Sequence, residues 1–148
     1  MQIDWSLKPF GDLTPQEVYD ILQLRNEVFV VEQNCVFQDA DGKDAGSWHL
    51  QGRRGGQLVA YTRIVPPGHI YEEASIGRVV TSPAARGTGA GKELLTKSIS
   101  SLYDVCGRGA IRIGAQLYLQ KFYEAFGFAQ VGEPYLEDGI PHIYMIKS

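Results

Sequence analysis

Apolar and polar positions alternate at the start of the chain: Ile3, Trp5 and Leu7 are apolar, and Asp4, Ser6 and Lys8 between them are polar. A period of two predicts a half-buried strand, which Pro9 and Gly11 end. Thr14-Pro15-Gln16-Glu17 then has the spacing of a capping box, with proline at the first helical position. Val18, Ile21, Leu22, Arg25, Val28 and Phe29 follow at helical spacing, so a helix runs toward Val31 without a marked stop. Residues 32–47 read as an irregular acidic segment. Residues 48–52 and 58–65 read as strands, and Arg54-Gly55-Gly56-Gln57 between them suits a hairpin turn. Pro66-Pro67-Gly68 stops the second of these strands. A β-rich run covers 74–81 and leads through a glycine-rich loop into a helix carrying Leu94, Leu95, Ser98, Ile99 and Leu102, which Gly107 and Gly109 end. Residues 110–115 form a strand, and 117–126 an amphipathic helix with Gly127 as its cap. Residues 128–135 and 142–147 are the last strands. The pattern predicts one α/β (mixed α+β) domain over 1–148. It has a mixed sheet with helices on both faces, in which two βαβ-like crossovers flank a meander.

Composition narrows the function. The 148 residues are 44% hydrophobic and 21% charged, and a domain of this size buries roughly 68–70% of its unfolded surface. Fourteen basic residues stand against 17 acidic ones, a net charge of −3, so nucleic acid is not expected as a partner. Cys35 and Cys106 imply neither a disulfide framework nor a metal pair, and His49 and His69 do not cluster with other ligands. No metal is expected, and a reducing, cytoplasmic setting is the simpler expectation. The N-terminal residues lack the basic and apolar regions of a secretory signal. No apolar run approaches the ~18 residues that span a bilayer, so no membrane association is expected.

The chemistry concentrates in Val79-Val80-Thr81-Ser82-Pro83-Ala84-Ala85-Arg86-Gly87-Thr88-Gly89-Ala90-Gly91-Lys92. Glycines between a strand and a helix let main-chain N–H groups approach an anion, and the helix dipole favours negative charge there. Arg86 and Lys92 add cationic donors for phosphate oxygens. The dipole supplies only about 0.3–1 kcal/mol, so charge-assisted hydrogen bonds of roughly 1.5–3 kcal/mol each must carry the anchoring. The P-loop pattern fails, because Arg86 stands five residues before Gly91 and Glu93 follows Lys92. The dinucleotide fingerprint fails as well, since Lys92 or Leu94 occupies the third glycine position.

What remains, Arg86, Gly89 and Gly91 after a strand, resembles the [Q/R]-x-x-G-x-[G/A] signature of the GNAT superfamily of N-acetyltransferases. The element order is that family's order along essentially the whole chain, and a central sheet of about seven strands is implied. The resemblance implies that the amides of Arg86, Gly87, Thr88, Gly89, Ala90, Gly91 and Lys92 wrap the pyrophosphate of acetyl-CoA. It also implies that Val79 and Thr81, with Val80 between them, pair with the pantetheine arm. Gln116, Tyr123 and Gly127-Phe128 resemble a second family segment, N-x(6)-Y-E-x-x-G-F. Gln116 replaces the usual asparagine, and Tyr123 stands at the general-acid position. The stretches 25–33 and 135–142 are similar to the ElaA-type branch.

Acyl transfer needs an amine to attack a thioester, a donor for the oxyanion and a proton for the departing thiolate. A backbone N–H of Val79 or Val80 is the expected oxyanion donor, provided the sheet splays after Thr81. A phenol near pKa 10 and a thiol near 8.5 make full proton transfer from Tyr123 uphill by roughly 2 kcal/mol, so Tyr123 needs a lowered pKa or acts only as a hydrogen-bond donor. The amine needs a base. Glu32 and His142 lead the candidates, followed by Asp39, Glu73 and Asp138. The acidic segment either steers a cationic substrate or is simply solvated. Arg25, on an apolar helix face, holds either a substrate carboxylate or an internal partner such as Glu32. Trp48, Tyr61, Phe29, Phe122 and Phe126 read as core aromatics, some of which could line an acceptor groove.

Three functions follow as expectations. The first is acyl-CoA-dependent N-acyl transfer to a primary amine of a small molecule or peptide. The second is a non-catalytic acyl-CoA sensor or scaffold, and the third a protein N-acetyltransferase. A homodimer through the last strands is left open.

Overall fold

Seven strands and three α-helices build the fold in a computed structural model that describes residues 2–148. Strands β1 (Asp4–Pro9), β2 (Trp48–Arg54), β3 (Gln57–Val65) and β4 (Ser75–Thr81) form an antiparallel sheet in sequence order. Strands β5 (Ile111–Gln116), β6 (Ala129–Glu137) and β7 (Ile140–Lys147) form a second one, ordered β5-β7-β6. The two sheets meet at one parallel bridge, Ala74 to Ile111, where the Arg112 N–H donates to the Ala74 carbonyl at 2.9 Å. The expected mixed character of the sheet resides in that contact.

Helix α1 (Pro15–Arg25) starts as the sequence dictates. The Thr14 hydroxyl accepts from the Glu17 N–H at 3.1 Å, and the Glu17 carboxylate accepts from the Thr14 N–H at 2.9 Å. Burial pushes the Glu17 carboxyl up, but the bonds from Thr14, Gln51 and Lys8 outweigh it and bring the pKa down to about 2. Thr14→Ala should therefore cost about 1 kcal/mol, read as a shift in the urea midpoint with an unchanged slope. The helix has no sharp stop. It widens into a π-helical stretch, Asn26–Glu32, and ends where Asn34 turns to a φ of +50°.

The first expected crossover does not occur, because β1 and β2 are antiparallel neighbours, with Trp5 opposite Gly52. The crossover between parallel neighbours is β4–α2–β5, with α2 spanning Ala90–Cys106. Helix α3 (Gln120–Glu124) is shorter than expected, because Leu117–Leu119 form a 3-10 turn before it. Its end is a Schellman motif: the Phe128 N–H donates to the Tyr123 carbonyl and the Gly127 N–H to that of Glu124. Gly127 has a φ of +95° there. In the β2–β3 hairpin Gly55 and Gly56 are both at positive φ, as the tight turn requires.

Alternation along β3 sorts the core. Ala60 and Ile64 pack with Leu94, Leu95 and Leu102 of α2, and Thr62 shares a 2.7 Å hydrogen bond with Ser98 of the same helix. On the opposite face Tyr61 packs with Ile21, Leu24 and Val28. Helices thus cover both faces, as expected. Among the described residues no helix is long and apolar enough to cross a membrane.

Candidate active site

Beyond the Ala74–Ile111 bridge β4 and β5 part, and a cleft of about 620 Å³ opens between them. The splay begins earlier than expected, after Ala74 rather than after Thr81. The register shows which main-chain groups face it. The Ser82 N–H donates to the Val59 carbonyl at 2.8 Å, and Val80 lies opposite Tyr61. Antiparallel alternation then gives the Val80 N–H and C=O to β3 and turns those of Val79 and Thr81 toward the cleft. Val80 is therefore corrected as an oxyanion donor, and Val79 remains.

A bulge shapes this edge. Val80 pairs with Tyr61 and Gly77 with Arg63, so Arg78 and Val79 together oppose Thr62, and Arg78 has a φ of +49°. Packing explains it. Ile76 joins the core beneath α2, whereas Val80, four residues on, packs with the α1 group. An unbroken strand would put both on one face.

At the start of α2, Gly87 and Gly89 adopt φ values of +78° and +82°, and no side chain caps the helix. Among the described residues, the N–H groups of Gly87, Thr88, Gly89, Ala90, Gly91 and Lys92 donate to no protein acceptor. The Thr88 hydroxyl is tied to the Ala85 carbonyl, and Ala90 is buried with Ile3, Val59 and Ala85. Lys92 is exposed and outside the cleft wall. Arg86 does line the cleft, but its guanidinium binds both carboxylate oxygens of Glu32 at 2.6 Å. The hydrogen bonds of Arg86 lower the Glu32 carboxyl pKa, and those of Glu32 raise the Arg86 pKa. The two expected roles, phosphate donor and free base, are thus mutually blocked in this state.

Tyr123 lines the same cleft, packed edge-on against Phe122 and Phe128 at ring distances of 5.2 and 6.0 Å. Burial pushes its phenol well above the ordinary value. Burial thus works against the lowered pKa that full proton transfer would need. Gln116 lines the cleft and donates to the Gln33 side-chain carbonyl at 3.4 Å. His142, also in the wall, has Nδ1 2.7 Å from the Ile140 carbonyl. A carbonyl only accepts, so Nδ1 carries a proton there, and Nε2 stands 3.4 Å from the Glu137 carboxylate. Asp138 lines the cleft too, and its carbonyl accepts from Cys35.

Asp39 and Glu73 are removed as bases. Asp39 is 5% exposed and bonded to Arg25 and Arg78, and Glu73 pairs with Arg112 away from the cleft wall. Arg25, fully buried, binds Asp39 and Asp44 rather than Glu32. Asp41 binds Arg63, so the Asp39, Asp41 and Asp44 carboxylates are engaged by arginines of the fold. His49 is bonded to the Tyr61 hydroxyl and the Asp44 carbonyl. Phe29 and Phe122, read as core aromatics, also line the cleft. Gln33, Phe37, Arg78, Tyr118 and Glu137 are wall residues that sequence reasoning missed. Only Gly77-Arg78 inside a β-rich run carried a signal.

A splayed pair of parallel strands over an unpartnered glycine-rich turn defines an acyltransferase-type scaffold. The family profile described as an acetyltransferase (GNAT) domain matches residues 32–148, and the chain belongs to that family. It is 42% identical over 148 residues to protein ElaA of Escherichia coli, covering 99% of this chain and 97% of that one. A UPF0039 protein of Synechocystis is 47% identical over 147 residues, 99% of this chain and 96% of the other. Among solved structures, an acyl-CoA N-acyltransferase from Pseudomonas aeruginosa superposes with a TM-score of 0.95 at 44% identity, covering 99% of this chain and 100% of that one.

Proposed function

We propose that this protein transfers the acetyl group of acetyl-CoA to a primary amine of a small molecule or peptide by direct attack. The observation that carries the reading is the run of unpartnered N–H groups from Gly87 to Lys92 at the mouth of the cleft. They cradle the pyrophosphate, with hydrogen bonds to charged oxygens of roughly 1.5–3 kcal/mol each. Val79 and Thr81 pair with the pantetheine arm beside Gln116. The Val79 N–H receives the developing oxyanion. The amine proton goes to His142 Nε2; Glu32 can take it only once Arg86 lets go. The Tyr123 hydroxyl stabilises the leaving thiolate. The name of the Pseudomonas relative, an acyl-CoA N-acyltransferase, supports the same chemistry.

Calorimetry with CoA tests the cradle, and release of free thiol from acetyl-CoA across a panel of amines and peptides tests turnover. CoA binding without thiol release on any amine would favour a sensor. Tyr123→Phe should lower thiol release about ten- to a hundredfold while CoA affinity stays the same. Unchanged release, with chemistry shown to be the slow step, would remove Tyr123 from the mechanism.

A further inference from the structure

We propose that Arg78 is a positioning residue whose ion pairs hold the β4 bulge in the shape that aims the Val79 N–H into the cleft. A side chain at a φ of +49° carries backbone strain that must be offset by its surroundings. Here the surroundings are specific. The Arg78 Nε donates to the Asp39 carboxylate at 2.9 Å, and its terminal nitrogen donates to the Asp39 carbonyl at 3.0 Å and to Asp41 at 3.3 Å. The guanidinium also lies over the Phe37 ring, 5.8 Å from its centre.

Both acids are themselves fixed. Asp39 is gripped by Arg25, which comes from α1 and is fully buried. Asp41 is bound at 2.8 and 2.9 Å by Arg63, which lies on β3 where the register breaks. The segment is therefore tied to α1, to β3 and to the bulge at once. The direction of the Val79 N–H follows from the conformation of the residue before it. Relaxing Arg78 to an extended φ would return a residue to the ladder and turn that N–H elsewhere. The catalytic part of this inference rests on the acyl-transfer reading above; the conformational part does not.

Arg78→Ala and Arg78→Gly separate positioning from direct contact. Both remove the guanidinium, but only glycine accepts positive φ without support. The first readout is the carbonyl stretch of bound acetyl-CoA labelled with 13C at the thioester carbon. Wild type and Arg78→Gly should shift it to lower frequency, and Arg78→Ala should lose the shift, with CoA affinity within about threefold in all three. The second readout needs no ligand: the Val79 amide should exchange with solvent rapidly in wild type and Arg78→Gly and be protected in Arg78→Ala. Arg78→Ala keeping both the carbonyl shift and rapid exchange would overturn the proposal. So would Arg78→Gly losing the shift together with Arg78→Ala, since the guanidinium would then act directly. If wild type failed to bind acetyl-CoA, the acyl-transfer reading would fall, and amide exchange would still decide whether Arg78 holds the bulge.

Discussion

Arg25→Met should lower the melting temperature by roughly 6–20 °C at neutral pH. Removing one partner of a buried ion pair costs about 3–5 kcal/mol, and in a domain near 150 residues each kcal/mol shifts melting by roughly 2–4 °C. Arg25 is fully buried and donates to Asp39 at 2.8 Å and to Asp44 at 2.8 Å. Burial alone would raise the Asp44 carboxyl, but the bonds and charges of Arg25 and Arg63 more than reverse it, so its folded pKa lies below the ordinary value. Asp41 is lowered in the same way by Arg63 and the Lys43 N–H. A carboxyl with a depressed folded pKa contributes stability above its unfolded value of about 3.9 and loses it as the pH falls through the folded value. The gap between wild type and Arg25→Met should therefore narrow below about pH 4. Scanning calorimetry at pH 7 and in the acid range checks both signs. A neutral-pH melting point unchanged by the substitution would show that the buried cluster is not what holds residues 39–44 to the sheet.

That cluster marks where sequence reading stops. The capping box at Thr14, the glycine pair at 55–56, the cap at Gly127 and the loop from Arg86 to Lys92 were legible, because each is chemistry among neighbours in the chain. The acidic segment read as either substrate-steering or solvated because its counter-charges sit at 25, 63 and 78, and nothing local announces them. The antiparallel β1–β2 pairing was missed for a related reason: a helix between two strands suggests a crossover, while strand order is decided by which faces need covering. The bulge is subtler. Ile76 and Val80 share the parity of one strand face, and only the tertiary demand for apolar residues beneath both α1 and α2 forces the extra residue between them. Of the residues named by family resemblance, Val79, Val80, Thr81, Arg86, Gly91, Gln116 and Tyr123 line the cleft, while Gln33, Phe37, Arg78, Tyr118 and Glu137 were not named. The pairing of Arg86 with Glu32, 54 positions away, was not legible either.

Glu32→Gln should tighten CoA binding, and its effect on turnover tells whether Glu32 or another group takes the amine proton. In the free chain Glu32 occupies both donor edges of Arg86, and a pyrophosphate must displace it to use that guanidinium. Both side chains are over two-fifths exposed, 43% for Arg86 and 41% for Glu32, so the competing pair is weak. Removing the carboxylate should tighten CoA binding only about two- to fivefold, more at low ionic strength than at high. Arg86→Ala should weaken CoA about ten- to a hundredfold, because a charge-assisted contact to phosphate is lost. In the Arg86→Ala background Glu32→Gln should no longer tighten CoA, since nothing is left to release; calorimetry on the four proteins closes that cycle. A gain that persisted without Arg86 would mean Glu32 repels the ligand by charge alone. The same variant reads the chemistry. If CoA frees Glu32 to take the amine proton, Glu32→Gln should lower thiol release at saturating acetyl-CoA even as binding improves. If release is unaffected, Glu32 is not the base, and His142 keeps the role proposed for it.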